Sequence, residues 1–160
     1  MVILEEVTVI RATIGRCFDL ACSVEVHLAG NVHWGETARA TGGLTSGLAG
    51  MGQRVVWRAR HFGVLQSLCT EITAFDRPSY FQDTMLHGSF RFMQHDHFFR
   101  STEEGETSMT DVLRFAAPVA VLGRLAEVAV LRRYMRNLLR ERTVVLRQIA
   151  QSDEWRRYLP

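Results

Sequence analysis

The feature that most limits what this chain can become is its last quarter. From 123 to 150 it reads as one amphipathic helix. Leu125, Val128, Leu131, Met135, Leu138, Val145 and Ile149 step by threes, fours and one gap of seven. At ~1.5 Å per residue, about 28 residues reach ~42 Å, enough to cross a whole sheet. That apolar stripe must be buried, and the preceding residues offer mostly strands to bury it against.

Residues 2–10 (VILEEVTVI) are rich in β-branched side chains and read as a strand. Thr13 can cap a short helix through about Ala21, and Ser23 a second one, SVEVHLAG, ended by Gly30. Strands follow at 34–41, 53–62, 64–75, 79–87, 89–100 and 106–116. They are punctuated by the glycine-rich GGLTSGLAGMG, Gly63, Asp76-Arg77-Pro78, Gly88 and Glu103-Glu104-Gly105. Short hairpin connections favour an antiparallel meander, and Pro118 ends it. The expected class is α+β: a curved seven-stranded antiparallel sheet around the long C-terminal helix, with two short helices after the first strand. Residues 1–160 are read as one domain, a length that suits a single core.

This order, together with ATIGRCFDLA, GLTSGLAGMGQRVVWRARHFG, ITAFDRPSYFQDTMLHGSFRFMQHDHFF and LGRLAEVAVLRRYMRNLLRER, resembles the START/SRPBCC superfamily. That is the helix-grip fold of steroidogenic lipid-transfer domains, birch-pollen-type allergens and polyketide aromatase/cyclases. The likeness runs from about residue 3 to 150 and is nearest to an uncharacterised bacterial branch with cyclase/dehydrase-type labels. It implies a cavity between sheet and helix, while the fold by itself leaves the role open.

Composition narrows the classes of function. Apolar residues make up 47% and charged residues 22%, ordinary for a globular protein. No apolar run approaches the roughly 18–20 residues that cross a bilayer, and the N-terminus lacks a secretory pattern, so a cytoplasmic location without membrane insertion is expected. Cys17, Cys22 and Cys69 are odd in number and form no CxxC pair, which disfavours a disulfide framework. Residues 123–160 hold nine Arg against four acids, a balance of +5; the first 122 hold ten Arg and thirteen acids, or −3. The Arg residues are interspersed and have no aromatic platform, so a solvated helix face is expected rather than a nucleic-acid surface.

Alternation places candidate residues in the cavity. Trp57 and His61 share the less charged face of 53–62, and Met109, Asp111 and Leu113 the more apolar face of 106–116. An inward Asp111 needs a partner, and an inward His would create a proton-transfer pair. His95 and His97 lie on one face of their strand and Asp96 on the other, but both faces carry aromatics, so alternation does not say which points inward. Both histidines can equally be structural. His-x-His offers two same-face metal ligands, with His61, His87 or Asp111 as a third; nothing fixes that third ligand, and no metal or cofactor is expected. The expected ligand-lining set is Trp57, His61, Tyr80, Phe81, Phe92, His95, Met109, Asp111, Leu113 and Met135.

The glycine-rich segment lacks phosphate-loop spacing, and no nucleophile elbow or Cys-His signature is present. The leading expectation is therefore a non-catalytic module, monomer or homodimer, binding a small hydrophobic molecule: a lipid, a polyketide or an isoprenoid-like compound. An interior filled by side chains, leaving less than the ~300 Å³ typical of ligand pockets, would overturn it. The alternative is an aromatase/cyclase-like enzyme in which His61, His95, His97 and Asp111 transfer protons, with Trp57 and Tyr80 shaping the ring site.

Overall fold

A computed structural model describes residues 1–39, 43–117 and 125–160. The elements run β1 (Val2–Ile10), α1 (Ile14–Cys22), α2 (Val24–Gly30), a 3-10 turn (Val32–Trp34), β2 (Thr37–Arg39), β3 (Arg54–His61), β4 (Val64–Asp76), β5 (Tyr80–His87), β6 (Phe92–Ser101), β7 (Thr107–Ala116) and α3 (Leu125–Gln151). A second 3-10 turn (Asp153–Arg157) follows. The seven antiparallel strands are ordered β1-β7-β6-β5-β4-β3-β2, a meander whose last strand pairs with the first. This is the expected α+β architecture, a sheet around a long C-terminal helix. Pro118 and the expected helix start at 123 lie outside the described residues, as do 40–41 at the end of the second strand and 42 in the glycine-rich segment.

Local chemistry explains the corners. Ser23 Oγ accepts the Val26 N–H at 3.3 Å and starts α2, whereas Thr13 precedes α1 without a side-chain cap. Phe62 and Gly63, at φ 52° and 75°, turn β3 into β4, the positive-φ pair whose twist matches a right-handed hairpin. Register shifts at Cys69/Thr70 and Ile72/Ala74 bend the 13-residue β4, which curves the sheet.

Two apolar clusters fill the ends of the grip. At one end, fully buried Phe18 of α1 meets Phe75, Phe81 and Phe99 edge-on, at centroid distances of 5.3, 5.5 and 5.4 Å. At the other, Met135 and Leu139 of α3 pack on Leu4, Met93, Leu113 and Phe115. The stripe that α3 buries differs from the expected one: Met135, Leu139, Thr143, Leu146, Ile149 and Ala150 are buried, while Leu131, Leu138 and Val145 are half-buried. The rotation turns Arg142 and Thr143 inward, within the seven-residue gap of the sequence pattern. Arg132, Arg133, Arg140 and Arg147 remain exposed, with Arg140 held 3.1 Å from Glu6 of β1.

Candidate functional site

The sheet and α3 enclose a cavity of about 280 Å³, bounded on one side by the second of the two apolar clusters. Its apolar wall includes Leu68, Phe90, Met93, Leu113, Leu131 and Met135. Its polar end is built from two transverse rows of the sheet. One row carries Leu113, His95 and Asp83 on β7, β6 and β5; the next carries Asp111, His97 and Phe81 on the same strands. Odd-numbered residues of β5 and β6 therefore point inward, the phase that alternation alone had left open for β6.

The second row lies behind the first. His97 Nδ1 is 2.6 Å from Asp111 Oδ1, and its Nε2 is 3.2 Å from Asp83 Oδ2. His95 Nε2 is 3.2 Å from the same Asp111 oxygen, and its Nδ1 is 4.0 Å from Asp83 Oδ2. Both rings are buried, and their centroids are 3.8 Å apart. Burial alone would lower the His97 pKa, but hydrogen bonds to Asp111 and Asp83 push it up to about 9. Burial, reinforced by the charge of His97, lowers that of His95. Burial would raise both carboxyls; hydrogen bonds from His95 and His97 to Asp111, and from His97 to Asp83, hold them below the usual range. These directions favour an imidazolium at His97 between two carboxylates, with His95 favouring its neutral form.

A second polar group caps the cavity from α2 and α3. His27 stacks on Trp57 at 3.7 Å and 16°. Arg142 donates to His27 Nδ1 at 2.6 Å, and His27 Nε2 faces Glu36 Oε2 at 3.0 Å, with Asn31 bonding the same oxygen. That pattern requires neutral His27 with its proton on Nε2. Burial, then the neighbouring Arg142 charge, lowers its pKa. Trp57 Nε1 donates to Thr70 Oγ1 at 3.1 Å. Gly30 permits this seam, since its backbone lies close against Arg142 of α3.

Of the expected residues, Trp57, His61, His95, Leu113 and Met135 line the cavity. His61 stands at its mouth, its Nδ1 2.6 Å from Tyr134 Oη, rather than with the other histidines. Asp111 and Met109 lie behind, around a separate void of about 30 Å³. Phe81 is buried in the aromatic cluster and stacks on His97 at 4.1 Å. Tyr80 and Phe92 are corrections. Even-numbered residues of β5 and β6 face away from α3, where Tyr80 and Gln82 donate to Asp96, which Arg114 also binds, and Phe92 is 37% exposed.

Sequence reasoning missed Asp83, His27, Glu36 and Arg142. Asp83 was legible as the residue two beyond Phe81 on one strand face. Arg142 was legible as the inward polar position within the gap of the helical stripe. His27 and Glu36 become functional candidates only when α2 folds across the sheet. Among the described residues, Asp83, His95 and His97 form the group whose ligand atoms could hold a metal ion.

No family model matches this sequence, and no curated protein does. Solved structures do match. A START superfamily protein from Mycobacterium smegmatis superposes with TM-score 0.68 at 9% identity, over 92% of this chain and 96% of that one. The protein TTHA0849 from Thermus thermophilus gives 0.65 at 16%, over 94% of each chain. Major latex-like protein 151 from Panax ginseng gives 0.61 at 14%, over 94% and 98%. At such identities the likeness shows the fold, the helix-grip fold, and leaves the ligand to be argued from this chain's own cavity.

Proposed function

We propose, with the helix-grip fold as premise, that residues 1–160 act as one unit that binds a small, largely apolar molecule between the sheet and α3. The observation that carries this reading is the 280 Å³ cavity with an apolar wall and polar groups gathered where Asp83, His95, His27 and Arg142 meet. Ligand pockets run from about 300 to 1,000 Å³, so the space falls just below that range and just short of the size expected from the sequence. At the ~30 Å³ that a water occupies in the liquid, it suits a ligand of roughly ten non-hydrogen atoms, or somewhat more once they are bonded. That favours a one- or two-ring compound or short isoprenoid over a long-chain lipid. Trp57 offers a flat apolar surface, and Asn31, His95 and Arg142 offer polar contacts for one hydroxyl or carbonyl. No helix among the described residues is long and apolar enough to cross a membrane, and we place this binding in the cytoplasm.

The test is native mass spectrometry of the purified protein against its denatured mass, followed by organic extraction and titration with 2-naphthol, a two-ring fluorescent dye of the size the cavity admits. Ala59 of β3 lines the cavity; an extractable adduct, or saturable dye binding that Ala59→Phe abolishes in the folded protein, supports the reading. No adduct, and dye binding indifferent to Ala59→Phe, rejects it.

A catalytic reading, cyclisation or dehydration by proton transfer, draws on one specific observation: His95 and Asp83 line the cavity and are backed by His97 and Asp111. Here a bound compound would be converted on incubation, and His95→Asn would stop conversion without releasing it. A compound recovered unchanged after prolonged incubation would leave binding alone.

A further inference from the structure

We propose that Asp83, His95 and His97 form a binding site for one divalent first-row transition-metal ion of the Zn²⁺ class at the polar end of the cavity. Two imidazoles and one carboxylate, with a further position open, are the donor set such ions take at non-structural sites. The spacing fits. Metal–ligand bonds of about 2.0–2.1 Å in tetrahedral geometry put neighbouring donor atoms about 3.3 Å apart. Asp83 Oδ2 lies 3.2 Å from His97 Nε2 and 4.0 Å from His95 Nδ1, and one donor atom from each residue falls within 4.8 Å of the others.

Asp111 supplies the outer support such a site needs. Its Oδ1 lies 2.6 Å from His97 Nδ1 and 3.2 Å from His95 Nε2, the ring nitrogens on the side away from Asp83. A carboxylate there holds both rings with their other nitrogen directed at a common point, as second partners of metal-bound histidines do. Thr143 Oγ1, 3.5 Å from Asp111 Oδ2, leans on that carboxylate from α3.

His95 is the ring that leaves a position open. It is 3% exposed; its Nε2 faces Asp111 Oδ1 at 3.2 Å, while its Nδ1 stands 4.0 Å from Asp83 Oδ2, beyond hydrogen-bond distance. A metal on Nδ1 fixes the ring and strengthens Nε2–H as a donor. The ion takes the place that a proton holds between Asp83 and His97. Asp83 and His95 also line the main cavity, so the open position faces it, and a cavity ligand bearing an oxygen donor would bind more tightly to the loaded protein.

The experiment uses the full chain, stripped with EDTA and titrated with ZnCl₂. Metal content after desalting, thermal unfolding, and the visible absorption of the Co²⁺-loaded protein are read. One ion per chain, a raised unfolding temperature and a tetrahedral or five-coordinate Co²⁺ spectrum are expected. Asp83→Asn, nearly isosteric, should weaken Zn²⁺ at least 100-fold, while His87→Gln, an exposed histidine elsewhere, should not. Circular dichroism and retained dye binding establish that the Asp83→Asn cavity is intact, which separates failure of this site from failure of the cavity reading. Less than 0.2 equivalents bound at micromolar free Zn²⁺, or a folded Asp83→Asn protein with unchanged affinity, overturns the proposal.

Discussion

Replacing Gly30 by Ala tests whether the seam between α2 and α3 holds the polar end of the cavity together. A Cβ built on Gly30 falls 3.0 Å from the Cα of Arg142, 3.2 Å from its Cγ and 3.4 Å from its Cβ. Carbon atoms prefer about 3.5–4.0 Å, so the helices must separate by roughly 0.5–1 Å, and a backbone atom cannot rotate aside. Overpacking of this kind costs about 1–3 kcal/mol. Ala is a better helix former than Gly by ~0.5–1 kcal/mol, which offsets part, leaving a net loss centred on about 1 kcal/mol and at most ~2.5 kcal/mol. For a chain of this size, ~2–4 °C per kcal/mol predicts a fall in Tm of roughly 2–4 °C at the central value and at most ~10 °C. The same displacement lengthens the 2.6 Å bond from Arg142 to His27, so the dye should also bind more weakly. The control is Gly50→Ala, whose Cβ would meet only Gln53 Oε1, at an ordinary 3.7 Å; it should stay within ~0.5 kcal/mol of the parent. A Gly30→Ala protein that melts within 1 °C of the parent, or above it, would refute the reasoning that this contact is tight.

Two further predictions concern titration and the outer face. His27 is half-buried against Trp57 with its pKa lowered, so below the unfolded value of about 6.5 the unfolded chain takes up a proton that the folded one resists. Its contribution to stability is complete above that pH and declines as pH falls, by up to ~1.4 kcal/mol per unit. In EDTA-containing buffer, the gap in urea midpoint between parent and His27→Gln should therefore shrink from pH 7.5 to 5.5; a gap independent of pH would contradict the assignment. Tyr80 bonds Asp96 on the outer face at 2.7 Å, so Tyr80→Phe should cost about 1 kcal/mol of stability and leave dye affinity unchanged. An affinity loss of threefold or more would place Tyr80 at the cavity after all.

Parts of the site were legible because they follow from a strand's period of two. Inward Trp57, Asp111 and Leu113 come directly from alternation of polar and apolar residues along β3 and β7. On β6 that signal fails: Met93, His95, His97 and Phe99 alternate with Phe92, Gln94, Asp96 and Phe98, two sets of similar polarity. The outer set contains Asp96, which is nonetheless buried by Tyr80, Gln82 and Arg114. Hydrophobicity cannot rank two faces that each bury a charge, so Tyr80 and Phe92 were drawn to the wrong side.

By itself the sequence determined the order of the elements, their approximate bounds, the antiparallel meander and the need for a sheet to bury the C-terminal helix. Those properties rest on local backbone preference and on periodicity, which each segment carries alone. Only the tertiary structure decided that Asp83, His95, His97 and Asp111, from three strands, meet in two adjacent rows, and that His27, Glu36 and Arg142 close over them. Such meetings depend on strand register and on the rotation of α3 about its axis. Shifting either by one residue preserves every local preference while replacing the groups that face the cavity.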